Sequence, residues 1–242
     1  MKFKKLYVNG CSFSCGNGLD LIEIKKLYKQ KGIDIVNHLD FAYPNILAKK
    51  YEIDIINDAV PGGSLNRMIR KTYNHIFNNT DSLKDTLFIL ELPPMWRDEF
   101  YSNKLDRLLN ITWGTIKHPD TDLTNIRNGY DVSDILSIHT DLENYFKNFI
   151  DIDFEEKKSM KNMLGLLSYL IDCTGFDDFL KKNGLKDDYN FLWFDSKKMH
   201  HWIDDNQLRI SDELDIEIDR HAGINGNKII AEKLEEYINK KF

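Results

Sequence analysis

Short apolar runs at residues 4–9, 53–57 and 87–92 each stop at turn-forming residues, and segments of helical period lie between them. Gly10 ends the first run, Pro61-Gly62-Gly63-Ser64 follows the second, and Pro93-Pro94 stops the third. The intervening segments read as helices at 43–51 and 65–77, the second with Met68, Ile69, Tyr73 and Ile76 on one side. Strands separated by helices are joined by crossovers, so this order predicts a parallel sheet covered by helices. A further strand is expected at 189–194, and a last helix at 225–239 whose Ile229, Ile230, Leu234 and Ile238 form a core-facing stripe. The middle differs in kind. Residues 100–128 mix aromatics, charges and turn residues without a sustained period, whereas 132–150 and 155–170 read as helical. The expectation is one domain over 1–242 with an insertion at about 100–185, since no Pro/Gly/Ser-rich linker and no internal repeat divides the chain.

Composition narrows the function classes. With 42% apolar and 30% charged residues the chain has the profile of a folded protein. Its 33 Lys and Arg against 39 Asp and Glu leave a net charge of −6, which argues against a nucleic-acid partner. Apolar stretches such as 87–90 fall far short of the roughly 20 residues needed to cross a bilayer, so no membrane partner is expected. Asn9 and Gly10 interrupt the N-terminal region before any apolar signal core develops. Cys11, Cys15 and Cys173 are an odd set without metal-ligand spacing. No disulfide framework is expected, and a reducing, cytoplasmic location fits.

The loop after the first strand, Asn9-Gly10-Cys11-Ser12-Phe13-Ser14-Cys15-Gly16-Asn17-Gly18, sits where a parallel sheet places its ligands, beyond a strand's carboxyl end. It lacks the Gly-Lys-Ser/Thr ending of a phosphate loop, does not fit the dinucleotide fingerprint, and has Ser14 where a nucleophile elbow has its last glycine. What remains is Ser12. A serine in such a loop is more often a turn residue than a nucleophile, and its hydroxyl is inert without a base. The segment Asp219-Arg220-His221 supplies one: in an extended backbone residues two apart face the same way, so Asp219 can hold one imidazole nitrogen of His221 and leave the other for Ser12. The alternative is an ordinary surface Asp-His pair before a helix. Acyl transfer also needs oxyanion donors. The candidates are the Ser12 N–H, a glycine N–H from Gly62 or Gly63, and the Asn66 amide; the same turn reads equally as a helix cap through Ser64.

Together these residues resemble the SGNH or GDSL hydrolases, in the branch with Gly-Cys-Ser-Phe in place of Gly-Asp-Ser. Asn-Gly-Cys-Ser-Phe-Ser-Cys-Gly at 9–16 is similar to the family's first block, and Tyr43-Pro44 with Leu47-Ala48 to its first helix. Asn57-Asp58-Ala59-Val60-Pro61-Gly62-Gly63-Ser64-Leu65-Asn66-Arg67 is similar to its second block, and Asp219-Arg220-His221 with residues 226–231 to its last. The resemblance implies Ser12 as nucleophile, His221 as general base and then acid, Asp219 as its orienting partner, and Gly62 or Gly63 as oxyanion donor. Two departures stand out. Leu92-Pro93-Pro94-Met95-Trp96-Arg97 lacks the oxyanion Asn usual after the third strand, and Ile218 occupies the usual acid position, three before the histidine. The expected fold is accordingly a flavodoxin-like three-layer α/β/α sandwich. The expected function is hydrolysis of a small ester, with an O-acetylated carbohydrate as one candidate substrate.

Other polar clusters have bland readings beside the functional ones. His200-His201 with Asp204-Asp205 could suggest a metal, but adjacent histidines point in different directions, so neither metal nor cofactor is expected. Arg97 and Glu99 line the rim of the site or form a surface ion pair. Trp96, Tyr101, Trp113 and Tyr130 stack on a sugar or make the insertion's own core. The second function class is a catalytically weakened SGNH-like module that binds carbohydrate or serves structurally on a virion or surface. The sequence does not fix the oligomeric state.

Overall fold

A computed structural model of the chain describes residues 3–93, 97–102, 107–112, 191–217 and 219–242. Among them, β1 (Lys5–Asn9), β2 (Asp54–Asn57), β3 (Thr86–Leu92) and β6 (Phe191–Asp195) form a four-stranded sheet in the order β2-β1-β3-β6. Every pairing in it is parallel. A separate antiparallel hairpin joins β4 (Arg97–Ser102) to β5 (Arg107–Thr112). The helices are α1 (Ile22–Gln30), α2 (Tyr43–Tyr51), α3 (Leu65–Asn78), α4 (Ser196–Asp204), α5 (Ile210–Leu214) and α6 (Ile224–Lys241), with 3₁₀ turns at His38–Phe41 and Thr80–Asp85. The helices expected at 132–150 and 155–170, and most of the insertion at 100–185, lie outside the described residues.

β1 and β3 are the buried centre of the sheet, and alternation along them assigns side chains to its faces. Leu6, Val8, Leu87 and Ile89 pack with Tyr43 and Leu47 of α2, Met199 and Ile203 of α4, and Ile230, Leu234 and Ile238 of α6. Tyr7, Phe88 and Leu90 face the other way, onto Leu65, Met68 and Ile76 of α3. Helices therefore cover both faces of a mixed α/β fold. A third cluster ties α1, through Ile24 and Tyr28, to Ile210, Leu214 and Ile224 beneath the His221 segment.

The strand order creates the crevice. From β1 the chain passes through α2 to β2 on one side, and from β3 it goes on to β6 on the other. Adjacent strands whose onward connections diverge leave an opening at their carboxyl ends, where open α/β sheets bind ligands. The loop with Ser12 leaves β1 at that opening.

Candidate active site

The Ser12 loop is pinned at its start. Asn9 is fully buried, donates to Tyr7 Oη at 3.1 Å, to the Met68 carbonyl at 3.1 Å and to Thr72 Oγ1 at 3.2 Å, and accepts from the Gly10 N–H at 2.9 Å. The second glycine turn closes on the same place: a Cβ on Gly63 would lie 2.5 Å from the Gly10 carbonyl oxygen, so only glycine lets the two backbones meet. Ser64 caps α3 by accepting from the Arg67 N–H at 3.2 Å.

The far end of the loop wraps the segment between α5 and α6. Gly18, at φ +92°, approaches Asp219 so closely that a Cβ there would meet Oδ2 at 2.9 Å. Asp219 is buried, and its Oδ1 lies 2.7 Å from His221 Nδ1 while also accepting the His221 N–H at 2.9 Å. That double contact fixes the ring, because an Nδ1–H donating to the carboxylate leaves Nε2 with a lone pair. Nε2 faces the Ser12 loop, where the Asn17 side-chain amide donates to it at 3.1 Å. Phe13 packs beside both His221 and His200, at ring distances of 5.8 and 4.6 Å. Glu213 stabilises the start of α6 by accepting from the Asn225 and Gly226 N–H groups at 2.8 and 3.1 Å, and takes the Tyr28 hydroxyl at 2.8 Å.

Ser12 is 7% exposed, and its Oγ contacts the Cys11 sulfur at 3.9 Å; no hydrogen bond joins it to His221 among the described residues. Its N–H and that of Gly62 have no hydrogen-bond partner among the described residues. The Gly63 N–H is engaged by the Val60 carbonyl at 3.0 Å, and Asn66 is exposed in the first turn of α3. Arg97, half-buried at the start of β4, has Nε and Nη1 buried without a hydrogen-bond partner among the described residues, while Glu99 forms an ion pair with Arg70 of α3 at 2.7 Å. Of the other acids near His221, Glu217 is exposed and Asp215 caps α5 in the left-handed conformation.

Both thiols of the loop are held in the protonated, weakly nucleophilic form. Burial, reinforced by the charge of Glu91, pushes the Cys15 thiol up to about 12 and the Cys11 thiol well above the ordinary range. His200 is held neutral by burial and by the adjacent Arg209, whose guanidinium contacts Nδ1 at 3.2 Å and Asp204 at 2.8 Å. Among the described residues no group of three or more His, Cys, Asp or Glu is arranged to hold a metal ion. Nor is any described helix long and apolar enough to cross a membrane.

Two residues of this neighbourhood carry weak sequence signals. Asn17 looks like any turn residue. Glu91 interrupts an otherwise apolar strand, Leu-Phe-Ile-Leu-Glu-Leu, and its buried carboxylate reaches back into the Ser12 loop. Trp96, Trp113 and Tyr130 lie outside the described residues. No protein-family model and no curated protein matches the sequence.

Proposed function

We propose that the chain is an SGNH-type serine hydrolase of three-layer, flavodoxin-like design that cleaves a small ester, with an O-acetylated carbohydrate as a candidate substrate. The observation carrying this reading is the 2.7 Å contact from Asp219 Oδ1 to His221 Nδ1, with Nε2 turned to the loop of Ser12. In the proposed cycle Asn17 releases Nε2 as substrate enters. Ser12 Oγ then attacks the ester carbonyl carbon while Nε2 takes its proton, and Asp219 stabilises the resulting imidazolium. The oxyanion is held by the Ser12 and Gly62 N–H groups, and that they have no other partner among the described residues supports that role. Collapse expels the alcohol, protonated by His221, and water repeats the sequence on the acyl-enzyme.

In this reading Arg97 lines the substrate rim, and Gly63 and Asn66 belong to the neighbouring substrate-binding wall. The second reading, a binding module descended from such an enzyme, is favoured by the Asn17 amide on Nε2 and by the absence of an Asn after the third strand. The two are separated by hydrolysis of a short activated acetyl ester. The hydrolase reading expects turnover that disappears in purified, folded Ser12→Ala; equal turnover in that variant refutes it.

A further inference from the structure

The deepest charge near the site belongs to a residue that the reaction above does not use. Glu91 lies at the carboxyl end of β3, on the face that continues the apolar stripe of Leu87 and Ile89, and is fully buried. A carboxylate in such a position is costly unless its oxygens are satisfied. Here they are satisfied almost entirely by the Ser12 loop. Oε2 accepts from the Cys11 N–H at 3.1 Å, the Ser14 N–H at 3.2 Å and the Ser14 hydroxyl at 2.6 Å, and Oε1 accepts from the Cys11 thiol at 2.7 Å. The acid grips the residue before Ser12 and the residue two after it.

The grip extends to the histidine. Because Ser14 Oγ donates to Glu91, the hydroxyl of Tyr43, 2.6 Å away, donates to Ser14. The Tyr43 N–H in turn donates to Asn227 Oδ1 at 3.0 Å, and Asn227 Nδ2 donates to the Ala222 and Gly223 carbonyls at 3.2 and 3.0 Å, directly after His221. Gly10 is required beside this acid, since a Cβ there would sit 2.6 Å from Glu91 Cβ.

From this geometry we infer that Glu91 is a positioning residue, which sets the Ser12 loop and holds it in register with the His221 segment through Ser14, Tyr43 and Asn227. The inference rests on the hydrolase reading for its catalytic consequence, but the tether itself is read without catalysis. Reactions that need a nucleophile held in line lose on the order of 100-fold when it is displaced by about 1 Å.

The test combines hydrogen exchange with labelling by a fluorophosphonate in the unmodified chain and in Glu91→Leu and Glu91→Gln. In the unmodified chain the Cys11 and Ser14 amides should exchange as slowly as those of β3. The glutamine oxygen can take the place of Oε2, so Glu91→Gln should keep that protection and most of the labelling rate. Glu91→Leu should lose both, with labelling about 100-fold slower at saturating probe and the probe's apparent affinity little changed. Rapid exchange of both amides in the unmodified chain overturns the tether even if Glu91→Leu does not fold. Undiminished labelling of Glu91→Leu overturns the positioning role and leaves the hydrolase reading standing. Failure of the unmodified chain to label defeats the hydrolase reading and the catalytic role together.

Discussion

Asp219 decides how His221 behaves, because it is the carboxylate bonded to Nδ1 and to the histidine's own N–H. An acid that orients a base and stabilises its cation is worth on the order of 10⁴-fold in turnover in a comparable triad, so Asp219→Asn should lose about that much while keeping its fold. Glu217→Gln, altering an exposed side chain, should turn over normally; a steady-state comparison of the two variants checks the assignment. Asn17 has the opposite role. Its amide occupies Nε2, and a hydrogen bond of this kind is worth about 0.5–1.5 kcal/mol net, so Asn17→Ala should raise the labelling rate of Ser12 by about 2- to 10-fold. A large loss instead would mean that the amide donates to the reacting ester. Cys11 and Cys15 should resist iodoacetamide at pH 8 in the folded protein, since burial keeps both as thiols.

At the scale of elements, the strands and the longer helices are legible because each obeys one period. The expected helix at 43–51 coincides with α2, and the expected last helix, 225–239, lies within α6. α1 escapes such reading because Glu23, Lys25, Lys26 and Lys29 interrupt its nine residues and only Ile24 and Tyr28 are buried. The hairpin of β4 and β5 escapes because Arg-Asp-Glu-Phe-Tyr-Ser offers no apolar alternation. In α4 the fully buried stripe among the described side chains is Met199 and Ile203, one helical turn apart, with Trp202 partly buried against the same cluster. The candidate site follows the same rule: Ser12, Asp219 and His221 stand in local motifs, whereas Glu91 and Asn17 gain meaning only through contacts 80 and 204 residues away in sequence. The meeting of the two glycine turns is likewise a tertiary fact. Gly63→Ala should drive the turns apart, lowering the urea midpoint and slowing Ser12 labelling although no polar group is removed. Unchanged values for both would show that the backbones separate freely.

For the whole molecule, burial lowers the proton affinity of His75 and His200 below the ordinary histidine value of about 6.5. Below that pH the unfolded chain binds protons at these sites that the folded chain does not, so their contribution to stability is present near pH 7.5 and declines as pH falls. Urea midpoints measured at pH 7.5 and 5.5 should therefore drop more in the unmodified chain than in a His75→Gln, His200→Gln double variant; equal drops would show that other groups govern the acid response. The central claim concerns what folding does to one serine, since Ser12 has no local sequence feature that activates it and the proposed base, His221, lies far from it along the chain. Labelling the folded and urea-unfolded chain with a fluorophosphonate, followed by peptide mapping, tests this directly. The account predicts stoichiometric modification of Ser12 in the folded chain and none after unfolding, whereas no modification of the folded chain, or modification at another residue, would contradict it.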